Sequence, residues 1–338
     1  MEHDDHRLGV LITLVCLLVA TLLGAIILIG QVGNPPTPVT VRIPTVTPTA
    51  TLIPTATPFV PHVPPPVIQA SAAYMLDPAT GDVLYSLHGT DQRAMASTTK
   101  IMTAIVTILM TTSLDQPVTV RSDVNQLSVD ASRMYCEPGQ VYSLRDLLYG
   151  LLLPSGDDAA VALADGVAGS QAAFVARMNV VAGWLQLTQT HFVNPHGLDT
   201  DGLVADGNYT SAADLAKLTE FAMQFPTFRQ IVATGKYSIP ATTTHGRLDL
   251  INTNEFLIFN PADASQNFTA TGASLGVDGV KTGFTGNAGY CLVLDARHNG
   301  HDVVLVLLGE ADTLAPQQRF TDGTALLTWI FAQEPLAG

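Results

Sequence analysis

The sequence predicts a mixed α/β (α+β) chain in which one β-sheet is interrupted by a helical insertion. Three observations predict it. Two short strand-like runs, Ala72–Asp77 and Asp82–Ser86, flank a Pro78-Ala79-Thr80-Gly81 turn signal early in the globular part. Residues from about 115 to 235 read as mainly helical. Strand patterns then return after Lys236, and a helix-like segment follows them. Strands, then helices, then strands and a helix are the order such a sheet requires.

The elements are justified in turn. After a short tail (residues 1–7), Leu8–Gly30 is a run of 23 residues without a charge, long enough to cross a bilayer. It is longer than a typical signal peptide and lacks a clear small-x-small cleavage site, so a retained anchor is expected. The N-terminus is placed in the cytoplasm and the rest of the chain outside. Residues 31–67 are rich in proline and threonine, with Thr-Pro steps such as Pro44-Thr45-Val46-Thr47-Pro48. They are expected to form an extended, disordered stalk reaching on the order of 100 Å. From residue 68 to 338 the composition is globular.

Within that part, the first two strands read as a hairpin leading into an apolar helix after Ser97. Helical patterns follow at Leu144–Leu153, Asp157–Gly166, Ala172–Leu185 and Ala212–Met223, the last with Ser211 as cap and Asp214 three residues on. Lys236–Pro240, Arg247–Asn252, Gly276–Lys281, Gly289–Ala296 and Asp302–Leu308 read as strands. Asn299-Gly300 marks a tight hairpin between the last two. Asn260–Gly276 reads as a loop insertion, and Thr313–Ala332 as a closing helix.

Composition excludes several functions. The 338 residues carry a net charge of −14, from 15 basic and 29 acidic side chains. That balance, with no basic patch or recognition motif, excludes a nucleic-acid partner. No Cys-x-x-Cys pair or His-Glu-x-x-His helix is present, so no metal or cofactor is expected. Cys136 and Cys291 could pair only if the fold brings them together, and two free buried thiols are the expected case; Cys16 lies in the apolar run.

Chemistry is signalled first at Ser97-Thr98-Thr99-Lys100. Ile101, Ala104, Ile105, Ile108 and Leu109 repeat with helical spacing, and no charge follows Lys100 until Asp115. A lysine opening a buried helix can reach a serine three residues earlier. A serine hydroxyl needs a base, and burial or nearby positive charge lowers a lysine pKa enough to serve. Two other segments stand out: the polar loop Ser155-Gly156-Asp157 between apolar helices, and Lys281-Thr282-Gly283 at a strand end. Each alone also fits ordinary structure: an N-cap serine with a snorkelling lysine, a cap at Ser155 or Asp157, a plain strand end.

Together and in this order, Ser-x-x-Lys, Ser-x-(Asn) and Lys-Thr-Gly resemble the three motifs of penicillin-binding proteins and serine β-lactamases. Ala96–Ala104, Leu151–Ala164, Phe192–Leu198, Asn252–Asn254 and Asp278–Val293 look like D-alanyl-D-alanine carboxypeptidases of the low-molecular-weight penicillin-binding type, over roughly residues 70–332. The resemblance implies a five-stranded antiparallel sheet flanked by helices, with the helical subdomain at about 115–235. It implies a bacterial serine peptidase that removes the terminal D-alanine of peptidoglycan stem peptides, with β-lactams as acylating inhibitors. By position it makes Ser97 the nucleophile, Lys100 the general base and Ser155 a proton relay. Asp157, Lys281, Thr282 and Gly283 would bind substrate, and the backbone N–H groups of Ser97 and Phe284 would form the oxyanion hole.

The chain departs from that pattern. Asp157 stands where the family usually has Asn, and a carboxylate beside Lys100 favours the charged, non-basic lysine. Asn208 sits where relatives often carry His, and is not read as catalytic. The sequence ends soon after the closing helix, where many relatives continue into a β-rich domain and an amphipathic tail; the N-terminal anchor is expected to replace that tail. A β-lactamase is the alternative hydrolase, but Glu137, Glu220 and Glu255 lie in settings unlike its deacylating glutamate. A wall-binding protein with an impaired site is the non-enzymatic alternative.

Overall fold

The structure, a computed structural model, describes residues 59–200, 207–258, 267–311 and 313–333. The expected membrane segment Leu8–Gly30 and most of the stalk lie outside these residues. Among the described residues no single helix is long and apolar enough to cross a membrane.

The main sheet has five antiparallel strands in the order β2-β1-β11-β10-β9. These are β1 (Ala72–Leu76), β2 (Val83–Leu87), β9 (Val277–Thr285), β10 (Gly289–His298) and β11 (His301–Glu310); the short strands β3 (Arg93–Ala94), β4 (Pro117–Thr119), β5 (Val141–Ser143) and β6 (Tyr209–Thr210) pair outside it, β3 with β6 and β4 with β5. The early hairpin therefore joins the late strands through the pairing of β1 with β11, Ala73 opposite Leu307. β10 and β11 turn at Asn299 (φ +49°) and Gly300 (φ +88°), the paired positive φ values a two-residue hairpin requires.

Successive side chains of a strand point to opposite faces, and here both faces are covered. Cys291, Val293, Val304, Val306 and Leu308 join one core; Leu292, Leu294, Val303, Leu305 and Leu307 join the other. The first core is built on α1 (Lys100–Met110), whose residues from Lys100 to Thr107 are all buried. Around it lie α2 (Leu144–Leu152), α3 (Asp157–Ala168), α4 (Gln171–Trp184) and α5 (Ala212–Met223). Ser211 caps α5 by accepting from the Asp214 N–H, as its sequence predicts. The second core is covered by α8 (Gln318–Phe331), through Phe320, Leu326, Leu327 and Ile330.

Three expectations need correction. Lys236–Ile239 (β7) and Leu248–Ile251 (β8) pair only with each other and stay outside the main sheet. The segment read as a loop before β9 contains a helix, α7 (Phe268–Leu275), capped by Asn267 and ended by Gly276 at φ +65°. A short helix also follows α5, α6 at Pro226–Val232. Finally, residues 59–67, expected as the end of the stalk, pack on the globular part. Extended chain from Phe59 lies along α8: His62 and Val63 N–H donate to Gln333 Oε1 at 2.7 and 3.1 Å, and Gln69 and Ala70 N–H to Asp322 Oδ2 at 2.5 and 3.1 Å. The Trp329 indole donates to the Val63 carbonyl and packs edge-on against Phe59.

Candidate active site

Ser97 lies in a single 3₁₀ turn, Ala96–Thr99, that runs straight into α1. The turn is tighter than the α-helix its spacing predicts, yet the two side chains meet. Lys100 Nζ is 2.8 Å from Ser97 Oγ. It also donates to Asp157 Oδ1 at 2.6 Å and to the His196 carbonyl at 2.7 Å. Those three acceptors match the three hydrogens of an ammonium. Lys100 and Asp157 are fully buried, 0% and 1% exposed.

Burial pushes the Lys100 pKa below the ordinary lysine value, and Asp157 and Asp158 only partly oppose it. The expected pull of Asp157 toward the charged lysine is therefore present, but desolvation outweighs it. The His196 ring is held down to about 4, first by burial and then by the Lys100 charge, so it is neutral at physiological pH.

The Ser155 loop is shaped by backbone rather than by side-chain capping. Gly156, not Ser155 or Asp157, caps α3. Ser155 takes a left-handed φ of +65° and Ala96 one of +47°. Each such non-glycine residue costs on the order of 1–3 kcal/mol, a strain that clusters at functional sites. The Ser155 hydroxyl is buried and makes no hydrogen bond. Asp158 anchors the loop opposite by accepting from the N–H groups of Met134, Tyr135, Cys136 and Ala159. Cys136 is a free buried thiol, as is Cys291.

On the third side, β9 brings in Lys281, Thr282 and Gly283. A Cβ on Gly283 would stand 3.2 Å from Ser97 N and 3.1 Å from Ala96 Cβ, so the strand lies against the serine turn. Lys281 is buried, donates to the Thr282 carbonyl at 2.9 Å, and has a pKa well below the ordinary value. Burial is the main cause; the positive charges of Lys100 and then Arg319 add to it. Thr282 Oγ1 is 2.6 Å from Thr253 Oγ1, which ties the Asn252–Asn254 segment to the strand. Phe284 follows on the strand, half exposed and packed at a tilt against Tyr290.

Of the residues singled out in the sequence, the fold brings Ser97, Lys100 and Asp157 into contact, lays Gly283 against the serine turn, and sets Lys281 within electrostatic reach of Lys100 and Asp157. It adds others. Arg319 at the start of α8 donates to the Gly283 carbonyl at 3.1 Å and lies over the Tyr290 and Phe320 rings. Asn208 accepts from Val193 and Asn194 N–H and donates to Thr99 Oγ1, joining the 192–198 loop to the serine turn. Gly197 (φ +93°) is compulsory there, since a Cβ would lie 2.0 Å from the Ala96 carbonyl oxygen. Chemically the arrangement offers a hydroxyl beside one buried lysine, an unpartnered hydroxyl in the Ser155 loop, and a second buried lysine. Among the described residues no cluster fits a metal ion.

Known proteins are similar to this chain in sequence and fold. The family model for D-alanyl-D-alanine carboxypeptidase matches residues 59–312. The D-alanyl-D-alanine carboxypeptidase DacF of Bacillus subtilis is 32% identical over 267 residues, covering 78% of this chain and 63% of its own length. A D-alanyl-D-alanine carboxypeptidase of a Streptomyces species is 35% identical over 276 residues, covering 79% and 89%. The crystal structure of a Streptomyces DD-transpeptidase superposes with a TM-score of 0.69 at 33% identity, covering 80% of this chain and 100% of that one. The chain therefore spans less than two thirds of the Bacillus relative but nearly all of the Streptomyces ones. On the family match and these similarities, the chain belongs to the D-alanyl-D-alanine carboxypeptidase family.

Proposed function

We propose that the chain is a serine-type D-Ala-D-Ala carboxypeptidase acting on peptidoglycan stem peptides through an acyl-enzyme on Ser97. The observation that carries this is the 2.8 Å contact of Ser97 Oγ with the buried Lys100 Nζ. Lys100 takes the hydroxyl proton as Oγ attacks the carbonyl between the two D-alanines. The backbone N–H groups of Ser97 and Phe284 hold the oxyanion. Ser155, whose hydroxyl makes no bond within the protein, passes the proton to the leaving amine. Lys281 and Thr282 receive the terminal carboxylate. Water then attacks the ester, returns a proton to Ser97, and frees the shortened peptide.

β-Lactams act on this reading as acylating inhibitors, because their strained amide presents the same carbonyl to Ser97. The uncharged Leu8–Gly30 run supports a single-pass anchor in a bacterial membrane, with the catalytic domain outside. The test is D-alanine release from an acyl-D-Ala-D-Ala peptide, with Ser97→Ala as control, beside labelling by a fluorescent penicillin. Release and durable labelling that both vanish in the variant are expected. Labelling with fast turnover would favour a β-lactamase; muropeptide binding without release or labelling would favour a wall-binding protein.

A further inference from the structure

The Lys100–Asp157 pair poses a chemical problem. An ammonium that donates to Ser97 Oγ, Asp157 Oδ1 and the His196 carbonyl has no lone pair with which to take the serine proton. The 2.6 Å contact with Asp157, buried on both sides, offers the proton a place to go. We propose that Asp157 is a catalytic residue, the proton store of the Lys100 base. The inference rests on the peptidase reading above and assigns Asp157 a task besides substrate binding.

The step balances within the pair. The Nζ–H bond facing Asp157 breaks and an Oδ1–H bond forms, turning ammonium and carboxylate into amine and carboxylic acid. A one-third turn about the Cε–Nζ bond then presents the amine lone pair to the Ser97 hydroxyl. As Oγ bonds to the carbonyl carbon, its proton passes to Nζ and the carbonyl π pair becomes the oxyanion. The pair then holds one extra proton while the oxyanion exists, so the two charges form together. When the C–N bond breaks, that proton goes through Ser155 to the leaving amine, and the pair returns to its starting count.

Surroundings favour the neutral form. Separated charges lose their hydration when both partners are buried. Lys281 on β9 has its own charge opposed by burial, by Lys100 and by Arg319 on α8, and favoured by Asp157. The His196 ring on the 192–198 loop is neutral. Asp158, next along α3, pulls Lys100 the other way, but its oxygens are already taken up by backbone N–H groups.

The consequence is a distinctive pH dependence. The ion pair and the neutral pair contain the same number of protons, so their ratio does not change with pH. Acylation by the parent is then flat between the two titrations of the pair as a whole. In Asp157→Asn, which keeps the shape, Lys100 titrates alone, and its amine fraction rises about tenfold per pH unit below its pKa. The test follows penicillin acylation and D-alanine release by the full chain from about pH 5 to 9. A flat parent profile and a variant that climbs with unit slope are expected, with Asp157→Glu recovering part of the flat region. Parallel profiles for parent and Asp157→Asn would overturn the proton store and leave the peptidase reading standing. If the Asn variant fails to fold, the parent decides: a unit slope through neutral pH overturns the proposal. A parent that neither takes the label nor releases D-alanine overturns both readings.

Discussion

Gly283 and Ser97 are neighbours across two parts of the chain, closer than a side chain at 283 fits without a shift. A Cβ on Gly283 would sit 3.2 Å from Ser97 N and 3.1 Å from Ala96 Cβ. The third residue of the Lys-Thr-Gly strand is thus fixed by close approach rather than by a turn, since only the glycines with positive φ need unusual backbone and Gly283 is not among them. Alanine there requires a shift of a few tenths of an ångström, whereas a branched side chain must push β9 away from the serine turn. Gly283→Val is expected to lower penicillin labelling of Ser97 by 100-fold or more, on the order of the effect of an ångström-scale misplacement. Denaturant unfolding should show a loss of only about 1–3 kcal/mol, typical of overpacking. Unaltered labelling kinetics would contradict the contact.

Ser155 predicts the opposite sign for stability. Its hydroxyl is buried with no partner, so the folded protein carries a desolvation penalty that substrate relieves. Ser155→Ala removes the oxygen without creating a large void. It is expected to leave the melting temperature unchanged or raise stability by up to about 1 kcal/mol. D-alanine release should fall by about 10²–10⁴, the span of a lost proton-transfer group. A variant that is both less stable and fully active would contradict this reading.

These residues also show what a sequence can carry. Ser97 and Lys100 were legible because the i, i+3 spacing survives whether the first turn is 3₁₀ or α. The Asn299-Gly300 turn and the Ser211 cap were legible because their chemistry is local. Arg319 was not, because its partner is a backbone carbonyl 36 residues away and no local pattern marks it. Residues 59–67 read as stalk because the acceptor for the His62 and Val63 N–H groups is Gln333, 271 and 270 residues on. The α7 helix was hidden by its own Gly272 and β-branched threonines, poor helix formers held by tertiary contact with Phe256. β7 and β8 carry strand alternation, which does not say whether a strand joins the main sheet or a local hairpin.

Asn208 links the loop carrying His196 to the serine turn. Its amide oxygen accepts from two backbone N–H groups, and its nitrogen donates to Thr99 Oγ1 and the Asn194 carbonyl at 3.0 Å each. Asn208→Ala strands several buried polar groups, each costing about 1–3 kcal/mol when left unpaired. A total loss of about 2–4 kcal/mol in chemical denaturation is expected, with slower acylation because the turn is no longer braced. Asn208→Asp keeps the accepting oxygen but loses the donors, and should fall between. Full stability in Asn208→Ala would remove its role as a brace.

Two groups outside the proton-transfer chain contribute to how stability depends on pH, and they act in opposite directions. The His196 pKa is lowered to about 4, so between about 4 and its ordinary value the unfolded chain binds more protons. Its contribution to stability is full above the ordinary value and is lost as pH falls toward about 4. Glu310 is fully buried, its carboxyl oxygens make no hydrogen bond, and burial followed by Asp322 raises its pKa to about 8. Here the folded protein binds the extra proton, so stability falls as pH rises from the ordinary glutamate value to about 8. Glu310→Gln replaces the carboxyl with an uncharged isostere. It is expected to stabilise by about 1–3 kcal/mol at pH 8 and by far less at pH 5, where the parent carboxyl is already neutral. Thermal melts of parent and variant at the two pH values measure this. Equal differences at both would mean that Glu310 ionises in the folded protein as it does in water.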